Sequence, residues 1–313
     1  VLAEKFDHFR YKNHRFYVMD DYSKTVHVFS DEGKFLHRIG SKGQGPKEFH
    51  WCYQLVVDEH SLYILDMQNR IKKYDLEGNW IKDIKLTKQP YRLLSLGNGK
   101  LACYISDDQF PKKEDAYSWL VLDAEGDSLT CINTNAWREN KVMQNYWVEN
   151  EFSTQYPMTY KEAYNDSLYY FTSDTYQPVA YGAILPGKHR LSPDLTWEEI
   201  KNVKHGLRIS YIYDTSRYLI FNYKCLCTEN IQDVLLGAFD KKTGEFFNIF
   251  NKNGEPKITN DLGGPDFTLL ACVYPNLLIG IAEANMCSEE FVQKYQMRGD
   301  DNQVLVMMEC RQR

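Results

Sequence analysis

Residues 16–39 have the sequence FYVMDDYSKTVHVFSDEGKFLHRI, and residues 62–84 repeat its pattern as LYILDMQNRIKKYDLEGNWIKDI. Asp20 matches Asp66 at an offset of 46 residues, and Gly33 matches Gly78 at an offset of 45, because the first turn loses one residue. Each copy contains an apolar run ending in Asp, a polar turn, an alternating run, an acidic-Gly turn and a second alternating run. This order predicts three antiparallel strands in a β-meander.

The repeat continues along the chain of 313 residues, since Gly126 lies 48 residues after Gly78 in another acidic-Gly turn. A unit of roughly 40 to 50 residues with about four strands is typical of a β-propeller blade. The sequence therefore predicts an all-β fold: one six-bladed β-propeller domain of four-stranded antiparallel blades with short helical insertions. The approximate blades are 1–40, 41–86, 87–133, 134–190, 191–250 and 251–313.

Several segments depart from this pattern. Residues 193–205 and 288–297 each predict a short helix, and residues 133–156 form a long polar and aromatic connection that is either functional or packs against the side of the propeller. The sixth blade has only three strand-like runs. Because propellers commonly complete one blade with the other terminus, either the missing strand comes from residues that precede Val1 or the closure is incomplete.

The amino-acid composition argues against two classes of binding partner. The net charge is −6 and no block of Lys or Arg occurs, so neither nucleic acid nor an anionic membrane surface is expected to bind. No apolar run reaches the ~18 residues that span a bilayer. The sequence starts at Val1 without a signal peptide, which leaves open the removal of an export segment or a lipid-attachment cysteine.

Cysteine and histidine spacing gives no metal or catalytic motif. Of the eight cysteines, only Cys225 and Cys227 form a close pair, and a zinc site would need a second pair at ligand spacing. We therefore expect reduced and mostly buried thiols. The eight histidines show no HExxH pattern, and the GxSxG elbow of serine hydrolases is absent from the sequence.

The loops at one end of a propeller form a funnel in which ligands usually bind. Asp20 and Asp66 end equivalent strands, and further polar residues occupy similar places in later blades or precede the last inner strand. Such a ring of oxygen atoms would suit calcium, although each Asp could instead hydrogen-bond the backbone of its own turn. The candidate ligand-binding residues are Asp20, Asp66, Asp107, Asp174, Asn222, Asn260, Asp261, Asp266 and Glu283.

Aromatic side chains offer a second kind of binding surface, because their flat apolar faces can stack on sugar rings. In the long connection and just after it, they could equally pack between blades. These aromatic residues are Trp137, Tyr146, Trp147 and Tyr156.

Three segments carry a family resemblance: GQGPKEF at 43–49, YLIFNY at 218–223 with FDKKTGEF at 239–246, and NDLGGPDF at 260–267. In combination they resemble the six-bladed β-propeller family common in Bacteroidetes, which is related to NHL-type propellers and has no characterised function. The resemblance covers essentially the whole chain and implies an exported protein of the periplasm or cell surface, often lipid-anchored. It supplies no catalytic residues.

Two functions of different classes follow from these observations. The first is a non-catalytic binding or scaffold propeller of the cell envelope that holds a glycan, a peptide or a partner protein at the central funnel and needs no cofactor. The alternative is a calcium-dependent hydrolase or lyase of the lactonase kind, with its site at the central channel. Without a catalytic motif the sequence favours binding, and a purely structural module of a larger complex is a third option.

Overall fold

The structure is a computed structural model that describes residues 6–20, 23–106, 109–133, 159–161, 165–172, 174–190, 206–225, 234–260, 264–273, 275–297 and 303–310. Its strands form six antiparallel sheets, and strands within each sheet are neighbours in chain order. The predicted six-bladed, all-β arrangement is therefore confirmed. No helix in the described part of the chain is long and apolar enough to cross a membrane.

The first three blades have four strands each. They are β1 (Phe6–Lys12), β2 (Arg15–Asp20), β3 (Thr25–Ser30) and β4 (Phe35–Ile39) in blade 1; β5 (Gln54–Val57), β6 (Ser61–Asp66), β7 (Arg70–Asp75) and β8 (Trp80–Lys85) in blade 2; and β9 (Arg92–Gly97), β10 (Lys100–Tyr104), β11 (Trp119–Leu122) and β12 (Ser128–Ile132) in blade 3.

The last three blades are less uniform, because blades 4 and 6 show three strands among the described residues. The strands are β13 (Thr159–Lys161), β14 (Ser167–Phe171) and β15 (Pro178–Ala183) in blade 4; β16 (Leu207–Asp214), β17 (Tyr218–Cys225), β18 (Val234–Asp240) and β19 (Phe246–Ile249) in blade 5; and β20 (Thr268–Val273), β21 (Leu277–Ala282) and β22 (Val304–Glu309) in blade 6.

One of the two predicted helices is present as α1 (Glu289–Lys294) in blade 6. The hydroxyl of Ser288 accepts a hydrogen bond from the N–H of Phe291, which is the usual way a serine caps a helix start. The predicted helix at 193–205 lies outside the described residues. All of the connection at 133–156 except Asn133 also lies outside them.

The pairing register of the strands explains the repeat in the sequence. Phe16 pairs with Phe29 in blade 1 and Leu62 pairs with Tyr74 in blade 2, so matching apolar residues occupy matching positions across the second and third strands. The turn between these strands spans 21–24 in blade 1 and 67–69 in blade 2, which accounts for the lost residue.

The first strands of the blades lie next to one another around the centre of the molecule. β1 contacts both β5 and β20, β5 contacts β9, and β16 contacts β20. Blade 6 is thus the neighbour of blade 1. Buried side chains fill the joint between blades 5, 6 and 1, among them Phe9, Tyr213, Phe267 and Leu278. The hydrophobic core is therefore divided into layers between adjacent blades.

Each blade has two ends with different loops. In blade 1, Phe6 pairs with Asp20, Asp20 with Thr25 and Val26 with Ile39, so the second strand ends where the fourth strand leaves for the next blade. We call this end the connection rim. The opposite end carries the hairpin turns between strands one and two and between strands three and four. Of the candidate residues that the structure describes, those at strand ends or in loops of the connection rim are Asp20, Asp66, Asp174, Asn260, Asp266 and Glu283.

Candidate functional site on the connection rim

Asp66 is a fully buried carboxylate at the end of β6. Its Oδ1 accepts hydrogen bonds from the backbone N–H groups of His50 at 3.1 Å, Trp51 at 3.0 Å and Met67 at 2.8 Å. Its Oδ2 accepts one from Nη2 of Arg70 at 2.7 Å. Four donors therefore satisfy this charge, and the carboxylate fixes the chain that enters β5 against the turn that follows β6.

A second carboxylate extends this network. Asp83 lies 3.6 Å from Nη1 of Arg70 and accepts hydrogen bonds from Nζ of Lys72 at 2.9 Å and from Nε1 of Trp80 at 2.9 Å. Lys72 is buried and also donates to the carbonyl of Pro46 at 3.0 Å. Buried charges are tolerated when they are paired in this way. The network joins blade 2 to the connection that carries the GQGP motif.

The GQGPKEF segment is itself a tight structural connection. The carboxylate of Glu48 accepts the N–H of Gly45 at 2.8 Å, and a Cβ at Gly43 would lie 2.0 Å from that carboxylate. The ring of Phe49 is buried, and it would lie 2.5 Å from a Cβ at Gly40. The side chains of Glu48 and Phe49 therefore fold back closely onto Gly43 and Gly40, and the segment serves to pack the connection between blades 1 and 2.

Asp20, at the position equivalent to Asp66, is also buried, and its Oδ2 accepts a hydrogen bond from the hydroxyl of Ser23 at 2.6 Å. In blade 4 Asp174 is exposed and accepts the N–H of Thr175 at 2.9 Å within its own turn. The carboxylates at matching places in different blades therefore have different surroundings.

The segment before β20 is closed by its own hydrogen bonds. Asp266 accepts the N–H of Asn260 at 3.0 Å and the side-chain amide of Asn251 at 3.0 Å. After β21, Glu283 is exposed and accepts the side-chain amide of Gln303 at 2.6 Å. Asp266 thus stabilises the turn that leads into blade 6, and Glu283 links the two ends of its insertion.

Asn222 lies within β17, opposite Tyr211 and Leu236, rather than at the strand end that the sequence pattern suggested. Its Oδ1 is buried and has no hydrogen-bond partner among the described residues. Asp107 and Asp261 lie outside the described residues. Within the part of the chain that is described, no three His, Cys, Asp or Glu side chains cluster closely enough to hold a metal ion.

A group of exposed apolar side chains surrounds Asp66 on the same rim. Trp51, Tyr53 and Met67 are 43%, 44% and 43% exposed, although the backbone at each is fixed. The backbone N–H groups of Trp51 and Met67 both donate to Oδ1 of Asp66, and the N–H of Tyr53 donates to the carbonyl of Leu65 at 2.9 Å. We call these three side chains the Trp51 platform. Trp51 and Tyr53 lie directly before the inner strand β5, and Met67 directly follows β6 on the same rim.

The platform also carries a positive charge. Nζ of Lys24 lies 3.5 Å from the ring centroid of Trp51, a cation–π contact between blades 1 and 2. Lys24 is itself buried, so its ammonium is held rather than free to move. The platform thus combines aromatic area with a fixed cation and a fixed backbone.

Sequence reasoning missed this platform because exposure of an aromatic residue depends on which connections surround it. The available signal was the position of Trp51 and Tyr53 between the GQGP motif and an inner strand. The aromatic residues singled out from the sequence, Trp137, Tyr146, Trp147 and Tyr156, all lie outside the described residues.

Cys52 lies between the two platform aromatics but is buried. Burial raises the pKa of its thiol well above the usual range, so the thiol stays protonated and unreactive. The cysteines whose side chains are described are all free, and they are Cys52, Cys103, Cys131, Cys272, Cys287 and Cys310.

Comparison with known proteins agrees with this architecture. A family model described as a domain of unknown function, DUF4934, matches residues 1–309. A candidate exported protein from Bacteroides fragilis NCTC 9343 has a similar structure, with a TM-score of 0.70 and 16% sequence identity, over 99% of this chain and 92% of that one. No protein of curated function matches the sequence significantly.

A second solved structure is also similar. It is a member of the DUF4221 family from Bacteroides vulgatus ATCC 8482, with a TM-score of 0.55 and 10% identity, over 99% of this chain and 94% of that one. At these identities the two structures show a shared fold. The resemblance to six-bladed Bacteroidetes propellers of uncharacterised function is confirmed.

Proposed function

The chain belongs to the DUF4934 family, whose function is unknown, and from its own surface we propose that it is a non-catalytic binding propeller of the cell envelope. Its ligand is held at the connection rim, close to the central opening. The ligand classes are those that aromatic surfaces and hydrogen-bonding rims recognise: a glycan first, then a peptide or an envelope protein.

The Trp51 platform is the observation that carries this proposal. Its three side chains are exposed, while the backbone N–H groups of Trp51 and Met67 are held by Asp66 and that of Tyr53 by the carbonyl of Leu65. A preorganised surface binds with a smaller entropy cost than a mobile one. An aromatic face also suits the apolar C–H face of a sugar ring, while the rim supplies hydrogen bonds.

A cell-envelope location is supported by the similar structure of a candidate exported protein from Bacteroides fragilis. The net charge of −6 agrees with a ligand other than nucleic acid. Attachment through a lipid on an upstream segment is part of the same proposal, since a propeller on a tether could present its connection rim to a ligand outside the cell.

The lactonase-like alternative needs carboxylates that converge on one cation. Asp66, the most buried of the described candidates, already accepts four hydrogen bonds, and it would have to give up some of them to bind calcium. No specific observation on the described residues favours the alternative.

The proposal is tested by titrating the protein with a panel of soluble neutral and acidic polysaccharides, followed by calorimetry and tryptophan fluorescence. We expect at least one polysaccharide to bind, and Trp51→Ala to weaken that binding about tenfold or more. The matched control is Phe247→Ala, which removes an aromatic ring from the outer strand β19 whose exposure, 44%, is close to the 43% of Trp51.

An affinity that Trp51→Ala leaves unchanged would place the ligand elsewhere on the molecule and contradict the proposal. Equal losses in the two variants would indicate that any exposed ring attracts the polysaccharide. If envelope peptides bound in place of polysaccharides, and Trp51→Ala weakened that binding, the proposed site would be supported and the ligand would be a peptide.

A further inference from the structure

The outer strand of blade 5, β19, carries an exposed aromatic surface. Phe246 and Phe247 lie in the strand, and Phe250 follows one residue after its end. These three rings are 52%, 44% and 46% exposed, and we call them the β19 aromatic surface. With ~200 Å² for a whole phenylalanine side chain, they leave roughly 300 Å² of apolar ring surface open to solvent. A contiguous apolar patch of this size often marks a site of protein–protein contact.

The rings are held in place by their own blade. The ring of Phe246 stacks on that of Phe221 with 5.8 Å between centroids, and it lies over Gly237, where a Cβ would be 2.8 Å away. The ring of Phe247 meets Tyr218 edge-on at 6.4 Å. About half of each ring is nevertheless exposed. A surface fixed in this way loses little conformational entropy when a partner covers it.

The outer edge of β19 also offers backbone hydrogen-bonding groups. Across the hairpin between β18 and β19, the N–H of Asp240 donates to the carbonyl of Glu245 at 2.9 Å. Because N–H groups alternate between the two sides of an antiparallel strand, those of Phe246, Asn248 and Phe250 point away from β18. No strand among the described residues pairs with this edge, and an unpaired edge readily accepts another strand.

β19 lacks the features that protect the other described outer strands. β4 contains Arg38, and β8 contains Lys82 and Lys85. Charged side chains on an edge strand disfavour pairing with another chain. β12 has no charged side chain, but its only large exposed apolar side chain is Leu129. Only β19 among these strands combines an uncharged edge with several exposed rings.

The segment at 246–250 is compatible with pairing to a second copy of itself. In an antiparallel pair with Asn248 opposite Asn248, Phe246 of one copy faces Phe250 of the other, and Phe247 faces Ile249. The outward N–H groups of residues 246, 248 and 250 then all lie at hydrogen-bonded positions. Aromatic and β-branched residues form the most stabilising cross-strand pairs. Side chains and backbone therefore select the same register.

The charges that flank the segment are complementary in the same arrangement. Glu245 precedes β19 and Lys252 follows Phe250 by two residues, and both are exposed. Antiparallel pairing brings Glu245 of one copy next to Lys252 of the other, and the twofold symmetry repeats this contact at the other end. A parallel pair would instead place like charges side by side. The charges thus favour a second copy of the chain in the antiparallel direction.

We propose that two copies of the chain associate through β19, as an antiparallel strand pair centred on Asn248 and covered by the β19 aromatic surface of each copy. The pair joins two blades into one continuous sheet. Such a contact is closed, because neither copy keeps an open β19 edge, and assembly therefore stops at a dimer. The Trp51 platform belongs to blade 2 and takes no part in this contact.

Sedimentation equilibrium at ~1 to 200 µM tests the association, because an apolar contact smaller than the ~800 Å² per partner of standard interfaces predicts a micromolar Kd. We expect a monomer–dimer equilibrium within this range. Hydrogen exchange at the amides of Phe246, Asn248 and Phe250 should slow severalfold as the concentration rises, because their N–H groups acquire acceptors in the dimer. Both measurements use the unmodified chain.

Asn248→Asp and Asn248→Lys test the register. Each variant alone places two like charges opposite each other at the twofold axis, and it should weaken dimerisation about tenfold or more. An equimolar mixture of the two variants should restore a dimer, because a carboxylate on one copy then faces an ammonium group on the other. The matched controls are Ser128→Asp and Ser128→Lys, which change an exposed position on β12 and should dimerise like the parent chain.

A parent chain that stays monomeric over the whole concentration range would overturn the proposal. A dimer whose affinity neither Asn248 variant changes would also contradict it, because the contact would then lie elsewhere. If the mixture of the two variants remained monomeric, the pair centred on Asn248 would be wrong. None of these outcomes depends on a ligand of the Trp51 platform, and Phe247→Ala should weaken the dimer while leaving the affinity of each platform unchanged.

Discussion

At the scale of single residues, the repeat identified Asp20 and Asp66 from the sequence, but their surroundings came from distant parts of the chain. Asp66 is satisfied by N–H groups 15 and 16 residues earlier in the sequence, on a connection whose path no local pattern specifies. Asp174 has the same residue type at a similar place and is exposed. The sequence could therefore predict the position of a carboxylate but not whether it binds a ligand or the backbone.

Asp66→Asn is expected to lower the free energy of unfolding by about 2–4 kcal/mol, because Arg70 would face an NH2 donor in place of a carboxylate oxygen and would lose its charged partner. The fluorescence of Trp51 should change as its backbone support is lost. Urea unfolding measures the first effect.

The control for this prediction is Asp174→Asn, which changes the same group in an exposed turn and should alter stability by no more than about 0.5 kcal/mol. Similar losses of stability in the two variants would show that the hydrogen bonds to Asp66 contribute little.

His27 provides a prediction about pH. It is buried beside Phe29 and Phe35, and burial lowers the pKa of its imidazole below the usual 6.5, with Arg38 acting in the same direction and Asp20 in the opposite one. The unfolded chain therefore binds a proton more readily than the folded protein. This contribution to stability is present above pH 6.5 and is lost as the pH falls below it.

His27→Phe should remove that loss, because Phe keeps the aromatic packing and does not titrate. Between pH 7 and pH 5, we expect the unfolding free energy of the variant to fall less than that of the parent protein, as measured by urea unfolding at each pH. Parallel curves for the two proteins would argue against a destabilising protonation of His27.

At the scale of elements, the sequence predicted most strands well, because alternation of buried and exposed side chains is a local property of a strand. The helix predicted at 288–297 is observed as Glu289–Lys294. Its ends were predicted less accurately than its presence, since it begins one residue later and ends three residues earlier than expected. Which turn packs against which neighbouring strand could not be predicted, since those contacts join residues about one repeat apart.

Gly126→Ala tests such a contact between elements. The new methyl group would lie 2.8 Å from the side chain of Ile84, so either blade 3 or Ile84 would have to shift. We expect a loss of about 2–4 kcal/mol of unfolding free energy, which combines overpacking with the strain of a positive φ.

The control is Gly254→Ala, because Gly254 also has a positive φ, +79°, while no described atom lies within 4 Å of the position of its Cβ. This variant has the backbone strain without the overpacking, and it should cost only about 1–2 kcal/mol of unfolding free energy. Denaturant unfolding of both variants gives the difference. If the two losses were equal, the approach of Ile84 to the turn would have no energetic weight.

At the scale of the whole molecule, repeat length predicted six blades and the fold class, and the three-stranded sixth blade was apparent in the sequence. The single domain over residues 1–313 stays a prediction. The ring of candidate ligands could not be judged from the sequence, because residues from different blades meet only after the ring forms. Among the described members, all but Asn222 lie on one rim, and no three His, Cys, Asp or Glu side chains of the described residues form a metal-binding cluster.

Calcium distinguishes the two proposed functions for the whole molecule. For a binding propeller without a metal, we expect superimposable melting curves in EDTA and in millimolar calcium. A bound ion at about 100 times its Kd would add about 2.7 kcal/mol and shift the curve by several degrees. Such a shift would support the lactonase-like alternative and direct assays to lactones and esters.

In blades 1 and 2 the fourth strand packs on the glycine turn of the following blade: a Cβ at Gly78 would lie 3.0 Å from the carbonyl of Arg38, and a Cβ at Gly126 would lie 2.8 Å from Ile84. Each of these two joints therefore has a direction, because β4 contacts blade 2 and β8 contacts blade 3. A pulling force that separates blade 1 from blade 2 would have to detach β4 from the turn that contains Gly78 before the two blades could part.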